Sequence, residues 1–384
     1  MKKSNILQAL STSALAIPTL TSAGSMPDAA EIGYLVSSYN EDSIEAQQSV
    51  DNKEHDRYNI AINQFHLLTP ISDNETISID FIHDTMSGAS PWAVSTKNND
   101  SDVIMSGASI KETRKDTRVA YKKYEQFRTQ SITVAHSTEN DYNSLAVGGD
   151  LELTLTDKNT VISVGGSISD DEITPTVGKF VNLRDGIVKD SKNTYSMYGS
   201  VTRVLSRSTI LQAGTSLSIH KGYLSDPYKM NDKRPKSRFM TTTSAKIVHH
   251  LAKHDSALHF DYRFYKDDWS VRSDTFSLSI YKNMQDNYQI VPSVRYYSQD
   301  KASFYNTETS TIIFNENYSD DYRLSKYGAI SAGFKIIKRF SDLTIHGSIE
   351  RYNTDNGFAI GSNLKSNPGL VDFTRISMGF EYKF

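Results

Sequence analysis

Catalysis of the commonest kind needs a nucleophile, a base and an orienting carboxylate. Two stretches of this 384-residue chain hold those residue types: His346, Ser348 and Glu350, and His136, Ser137 and Asp141. On a strand, positions two apart share a face, which would align the first set. At about 3.3 Å per residue the same geometry leaves Ser348 roughly 6–7 Å from His346, too far to hydrogen-bond. The second set matches no catalytic motif, so the chain is expected not to be an enzyme. Oxygen ligands for calcium are offered by Asp170-Asp171-Glu172, Asp267-Asp268 and Asp320-Asp321, but calcium-loop spacing is absent and solvated loop charge is the better reading. His249, His250 and His254 fall at an expected turn, where His249 and His250 would point to opposite sides. No metal and no cofactor is expected. Cysteine is absent, which excludes disulfides, thiol chemistry and lipid attachment at cysteine.

The elements that would position such residues read as strands. From about residue 32 the sequence repeats segments of roughly 10 residues that alternate apolar with polar, each ended by turn residues. In Ser144 to Leu155, the residues Leu145, Val147, Gly149, Leu151, Leu153 and Leu155 share one face while Asp150 and Glu152 lie on the other. Comparable sets are Ile77/Ile79/Phe81, Leu211/Ala213/Leu217/Ile219, Leu258/Phe260/Tyr262/Phe264 and Ile330/Ala332/Phe334/Ile336. The opposite faces carry Asp80, His259, Asp261, Arg263, Arg295, Lys335, His346, Glu350, Arg375, Glu381 and Lys383. So many charges do not suit a soluble core, where unpaired burial is costly, and an aqueous lumen accommodates them. Mean hydropathy is −0.48, and no apolar run approaches the ~18 residues of a spanning helix. Strands are the remaining way across a membrane.

The expected fold is therefore all-β: a transmembrane antiparallel up-and-down barrel of about 16 strands, with 14–18 possible on the pattern. Short turns are expected at 156–159, 205–208, 251–255, 283–287 and 338–342, and long connections near 84–113, 170–191, 221–237, 299–322 and 353–369. That arrangement puts turns in the periplasm and long loops outside. Residues 114–128 and 195–205 alternate poorly, where a hairpin could be missed. The last strand ends on Phe384 with Ile376, Met378, Phe380 and Tyr382 on one face, a closing strand suited to the barrel assembly machinery. Tyr (22) and Phe (16) suit girdles at two lipid boundaries, with lipid and lipopolysaccharide as neighbours. Net charge of −3 with both signs mixed marks no nucleic-acid binder. Residues 1–23 read as a signal peptide, with Lys2-Lys3, an apolar stretch and small residues before Gly24. Residues 24–31 would be a short periplasmic segment and 32–384 the barrel.

Within 84–113, Met86-Ser-Gly-Ala-Ser90 recurs as Met105-Ser-Gly-Ala-Ser109, which reads as an extended ribbon whose arms carry similar small residues. On the long-loop rim, Trp92, Tyr223, Asp226, Tyr228, Asp267, Asp268, Trp269, Tyr305, Asp320, Asp321 and Arg323 could line a surface vestibule, as aromatics with a few polar groups line ligand pockets. The competing reading has them capping strands and interlocking loops.

Several words on these loops occur in a fixed order. They are Met86-Ser-Gly-Ala-Ser-Pro-Trp92, Ser137-Thr-Glu-Asn-Asp-Tyr142, Gly222-Tyr-Leu-Ser-Asp-Pro-Tyr-Lys229, Arg234-Pro-Lys-Ser-Arg238 and Asp261-Tyr-Arg-Phe-Tyr-Lys-Asp-Asp-Trp269, followed by Arg295-Tyr-Tyr-Ser-Gln299, Ser303-Phe-Tyr305, Tyr318-Ser-Asp-Asp-Tyr-Arg-Leu-Ser325 and Gly369-Leu-Val-Asp-Phe373. Together they resemble the bacterial outer-membrane family called domain of unknown function 3570. The resemblance implies a barrel in a Gram-negative outer membrane and no particular activity. It also implies a redox or maturation setting, with a small lipoprotein or periplasmic redox proteins as partners. The 221–237 and 299–322 connections look short for the pattern, which puts ligand contacts there in doubt.

Function is then expected to be that of a channel or export/uptake barrel for a small polar solute or short modified peptide. The alternative is a non-conducting receptor or scaffold that binds a protein or lipoprotein at its outer loops. Residues 24–31 and the 84–113 connection are the segments available to plug the lumen.

Overall fold

The computed structural model describes residues 26–97, 100–105, 110–176, 181–308, 316–362 and 367–384. The expected signal peptide, residues 1–23, lies outside them. Strands β1 (Glu31–Glu41), β2 (Asn59–Ser72) and β3 (Glu75–Gly88) are followed by a short pair, β4 (Pro91–Lys97) and β5 (Asp100–Met105). Then come β6 (Ile110–Glu125), β7 (Arg128–Thr138), β8 (Tyr142–Thr154), β9 (Thr160–Ile173), β10 (Asp190–Ser206), β11 (Thr209–Gly222) and β12 (Ser237–Leu251). The chain finishes with β13 (Ser256–Asp267), β14 (Arg272–Asn283), β15 (Tyr288–Gln299), β16 (Tyr327–Arg339), β17 (Leu343–Asp355) and β18 (Phe373–Lys383). Sixteen of them form one closed antiparallel barrel in sequence order, with β3 pairing β6 directly and β4–β5 standing apart as a two-stranded ribbon.

Alternation sets the wall. Ile132, Val134, Leu145, Val147, Val164, Ile168, Met197, Phe260, Leu278, Phe334 and Met378 all point outward and lie exposed, the apolar belt that lipid covers. Tyr195 and Phe239 sit near the loop ends of their strands, and Tyr121 and Tyr382 near the turn ends, forming the two aromatic boundaries. Closure comes from β1 against β18, with Tyr34 opposite Phe380. Ala30 and Phe384 exchange backbone hydrogen bonds of 3.0 and 3.2 Å at the turn rim. The described part of segment 24–31 thus runs along the wall at that rim and does not plug the lumen.

Of the two poorly alternating stretches, 114–128 contains a tight turn absent from the expected set, at Gln126 and Phe127 between β6 and β7, whereas 195–205 lies wholly within β10. β6 and β10 are long strands whose outer ends rise above the belt, so outward positions such as Lys115 and Thr117 meet water or headgroups rather than lipid tails. β10 also carries a register irregularity between Val204 and Ser206. A long loop absent from the expected set, residues 42–58, joins β1 to β2; its polar residues continue the polar positions of the strands and hide the boundary.

Gly88 is where the ribbon leaves the wall. Its φ of +120° is strained for other residues, and an added Cβ would lie 2.2 Å from the Arg57 carbonyl oxygen. Gly88→Ala is expected to cost about 1–3 kcal/mol and to loosen the ribbon rather than the barrel. Protease cleavage within 89–109, with the folded barrel band retained on electrophoresis, would show it.

Candidate functional site

Lumen charges sort into local groups. His66 Nδ1 and Asp80 Oδ1 lie 2.7 Å apart, Lys246 Nζ and Asp261 Oδ1 3.4 Å, and Arg375 Nη2 and Glu350 Oε2 2.7 Å. Ser131 and Tyr198 donate to Asp150 at 2.8 and 2.6 Å. Lys335, His346 and Glu381 interact electrostatically, the His259 ring packs 4.2 Å from that of Tyr281, and Lys383 reaches Glu31 at 3.8 Å. Arg295 faces Ser277 at 3.4 Å, whereas Glu152 and Arg263 make no hydrogen bond or ion pair among the described residues. Glu350 is bonded to Arg375 and no hydrogen bond joins His346 to Ser348 among the described residues. His136 instead meets Asn143 on the outer face at 3.0 Å, while Asp141 accepts from Tyr228 at 2.6 Å. Neither set of catalytic residue types is assembled.

Half of the lumen encloses a cavity of about 520 Å³ lined by the inward faces of β6 to β13. Its wall is largely hydroxyl and small: Thr133, Ser144, Ser167, Ser196, Ser218 and Thr242 contribute alongside Ala135 and Gly148. This lining was not legible as a site, because serine and threonine at alternate positions also describe any water-facing sheet.

Above it the outer loops form a cap. The β4–β5 ribbon starts between β3 and β6 and reaches loops from other parts of the rim. Trp92 O accepts from Met230 N at 3.0 Å, Pro91 O accepts from Lys229 Nζ at 2.6 Å, Thr96 N donates to Thr307 O at 3.0 Å, and Val103 O accepts from Val50 N at 3.1 Å. A ribbon is present, but its arms are β4 and β5 rather than the two Met-Ser-Gly-Ala-Ser copies: Met86–Gly88 belong to β3 in the wall, Met105 ends β5, and Ser106–Ser109 lies outside the described residues.

The vestibule candidates belong to the interior of this cap. Tyr223, Asp226, Tyr228, Asp267, Trp269, Asp320 and Asp321 are buried, Trp92, Tyr305 and Arg323 are half-buried, and Asp268 alone is exposed. As the lining of an open vestibule the set is corrected by the structure: aromatic burial and ion pairing turn these side chains against one another. Trp269 Nε1 donates to Ser237 O at 2.9 Å under the Arg238 guanidinium, 4.4 Å from the ring. Asn367 Nδ2 donates to Tyr305 at 2.8 Å. Arg323 spans Asp226 (2.7 Å) and Asp321 (2.8 Å from Nε), and Arg234 spans Asp232 (2.7 Å) and Asp321 (2.8 Å). Burial alone would raise the Asp321 carboxyl, yet Arg323, Lys229 and Arg234 hold it well below the usual carboxylate range. Burial pushes the neighbouring Asp320 up to about 8, against Lys229 and with help from Asp232 and Asp321.

Sequence reasoning missed Arg57, Glu41, Lys229, Asp232 and Arg234 as cap members. It also missed a gathering of Glu112, Glu139 and Asp141, whose carboxylate oxygens lie within 4.8 Å of one another. Glu112 accepts from Asn140 N at 3.0 Å and Asp141 from Tyr228, so two of these three carboxylates anchor loops. No local pattern announces such groups, since their members come from separate connections.

A family model described as protein of unknown function (DUF3570) matches residues 7–370. The chain belongs to that family. No curated protein matches the sequence. Among solved structures, CdiB from Acinetobacter baumannii gives a TM-score of 0.54 at 9% identity, covering 93% of this chain and 60% of CdiB. This DUF3570 chain therefore spans 60% of the length of that protein. A bacterial polysaccharide outer membrane secretin gives 0.51 at 8% identity, covering 94% of this chain and 100% of the secretin. Likeness at these identities is one of fold, that of outer-membrane barrels.

Proposed function

We propose that this DUF3570 barrel is a gated pathway for a small polar solute across the bacterial outer membrane. It is exported by the segment at residues 1–23 and inserted through its closing strand. The supporting observation is the hydroxyl-lined cavity beneath a cap of mutually bonded loops. Sixteen strands leave an interior wide enough for water and solute. The cap makes the resting barrel closed, and opening requires the β4–β5 ribbon to move off the loops it touches. A small lipoprotein or periplasmic redox partner would act from outside this pathway.

Gly88 and Ile110 are direct cross-strand partners, so a tight turn can replace residues 89–109 without disturbing β3 or β6. In planar bilayers the full chain is expected to open rarely and this deletion variant to conduct steadily. A folded deletion variant with no conductance, confirmed by liposome swelling, would sink the proposal.

A further inference from the structure

The 520 Å³ cavity holds charges of two kinds. Some are satisfied: Lys192 pairs with Asp171 at 3.1 Å, Ser144 donates to Asp171 at 2.6 Å, and Asp150 is capped by Ser131 and Tyr198. Three are not. Asp116, 8% exposed, makes no hydrogen bond or ion pair among the described residues. Arg118 has a buried Nε without a partner, and Arg263 on the opposite flank has no ion pair. Arg114, two positions before Asp116 on the same face, bonds Asp84 through Nε at 2.9 Å. Asp116 and Arg118 stand two positions apart on the inward face of β6, so their backbones are separated by about 6.6 Å along the strand.

Unpaired charges of opposite sign in a partly desolvated wall are costly, and a ligand that supplies both counter-charges removes that cost. An ammonium suits the Asp116 carboxylate and a carboxylate suits the guanidinium of Arg118, which can grip it through two parallel N–H bonds. Two residues of extended peptide span about 6.6–7.2 Å, so a dipeptide laid along β6 matches the two-position backbone offset of Asp116 and Arg118. A peptide bond between the two charged ends would find donors and acceptors among the serine and threonine hydroxyls opposite. A cavity of this volume falls in the ordinary range for small ligands, roughly 300–1,000 Å³.

We infer that the lumen binds short peptides with free termini, of dipeptide size, with the amino end at Asp116 and the carboxyl end at Arg118. Arg263 on the far flank offers a second carboxylate position as the solute moves through. This rests on the gated-pathway reading and names its solute class.

The test is calorimetric titration of the full chain in detergent with glycylglycine, N-acetylglycylglycine, glycylglycinamide and glucose. Glycylglycine is expected to bind, and blocking either end is expected to weaken binding roughly tenfold or more, as is usual for a lost buried charge pair. Asp116→Asn should abolish the preference for a free amino end, and Arg118→Gln the preference for a free carboxyl end. Equal binding of the blocked and free peptides by the unaltered chain would overturn the inference without need of any variant. So would the absence of glycylglycine binding, or a preference for the free amino end that survives Asp116→Asn in folded protein. A barrel that conducts yet does not discriminate fails this inference alone, whereas one that binds dipeptide but never conducts fails the pathway alone.

Discussion

Arg57→Ala is expected to weaken the closed cap by about 3–5 kcal/mol while the barrel stays folded. The Arg57 side chain is 1% exposed and that of Glu41 0%, with Nε and Oε2 2.9 Å apart. The same guanidinium donates from Nη1 to Gly369 O and Leu370 O, both at 3.1 Å, and lies 5.4 Å over the Tyr322 ring. One residue of the 42–58 loop therefore ties together the β15–β16 and β17–β18 loops. Its removal strands the Glu41 carboxylate, whose remaining partner is the Tyr39 hydroxyl at 3.1 Å. The cost is that of an uncompensated buried charge, larger than the worth of the pair itself. Arg57→Lys should fall between, since an ammonium keeps the charge but loses the planar fork that reaches Glu41 and two carbonyls at once. The check is limited proteolysis of reconstituted protein: new cuts within 42–58 and 356–372 are expected, with the barrel core resistant. An unchanged digestion pattern would show that the cap is held elsewhere.

The wall and the cap differ in how much of them is written locally. Leu145, Val147 and Leu151 announce a lipid face because strand period forces alternate residues to one side, and each segment can be read alone. Turn and loop lengths add topology, so strand number and rim assignment follow without tertiary information. Arg57 carries no such signal. Its meaning depends on Glu41, Gly369 and Tyr322, which the chain brings from three other places, and no period links them. The vestibule candidates show the same limit from the other side. Strand register assigns Trp269, Asp226 and Arg323 to the long-loop rim, but residue type cannot say whether an aromatic or a carboxylate there faces water or its neighbours. Trp269 is 3% exposed because Arg238 and Phe304 cover it. In the lumen, Asp116 lies within a stretch whose alternation fails at the outer end of β6, so the expected lumen set does not contain it.

Asp320→Asn is expected to stabilise the closed cap at alkaline pH by an amount on the order of 5 kcal/mol, and to change little near pH 4. Both Asp320 carboxylate oxygens are buried without a hydrogen-bond partner. The groups that act on it are Lys229, Asp232 and Asp321, and it acts in turn on Tyr305 and Tyr318. Lys229, Arg234 and Arg323 balance Asp226, Asp232 and Asp321 in charge, which leaves Asp320 as the fourth carboxyl with no cation of its own. Its value in the closed cap is about 8 against 3.8 when free. Between those limits the closed form keeps a proton that the opened form releases, so closure weakens as pH rises through the window and levels off above 8. Asp321 has the opposite sign: its stabilisation is present above the ordinary carboxylate range and is lost only as pH falls through its depressed value. From these two groups the cap is tightest near the free carboxylate value, about pH 4, and loosens as pH moves either way. Hydrogen exchange of loop amides should show opening that rises by about two orders of magnitude between pH 5.5 and 8.5, and a nearly flat profile for Asp320→Asn, which keeps the shape of the side chain but has no proton to lose. A flat profile in the unaltered chain, or a variant that opens more readily at pH 8.5, would mean that Asp320 is ionised in the closed cap and that the cation serving it is Lys229.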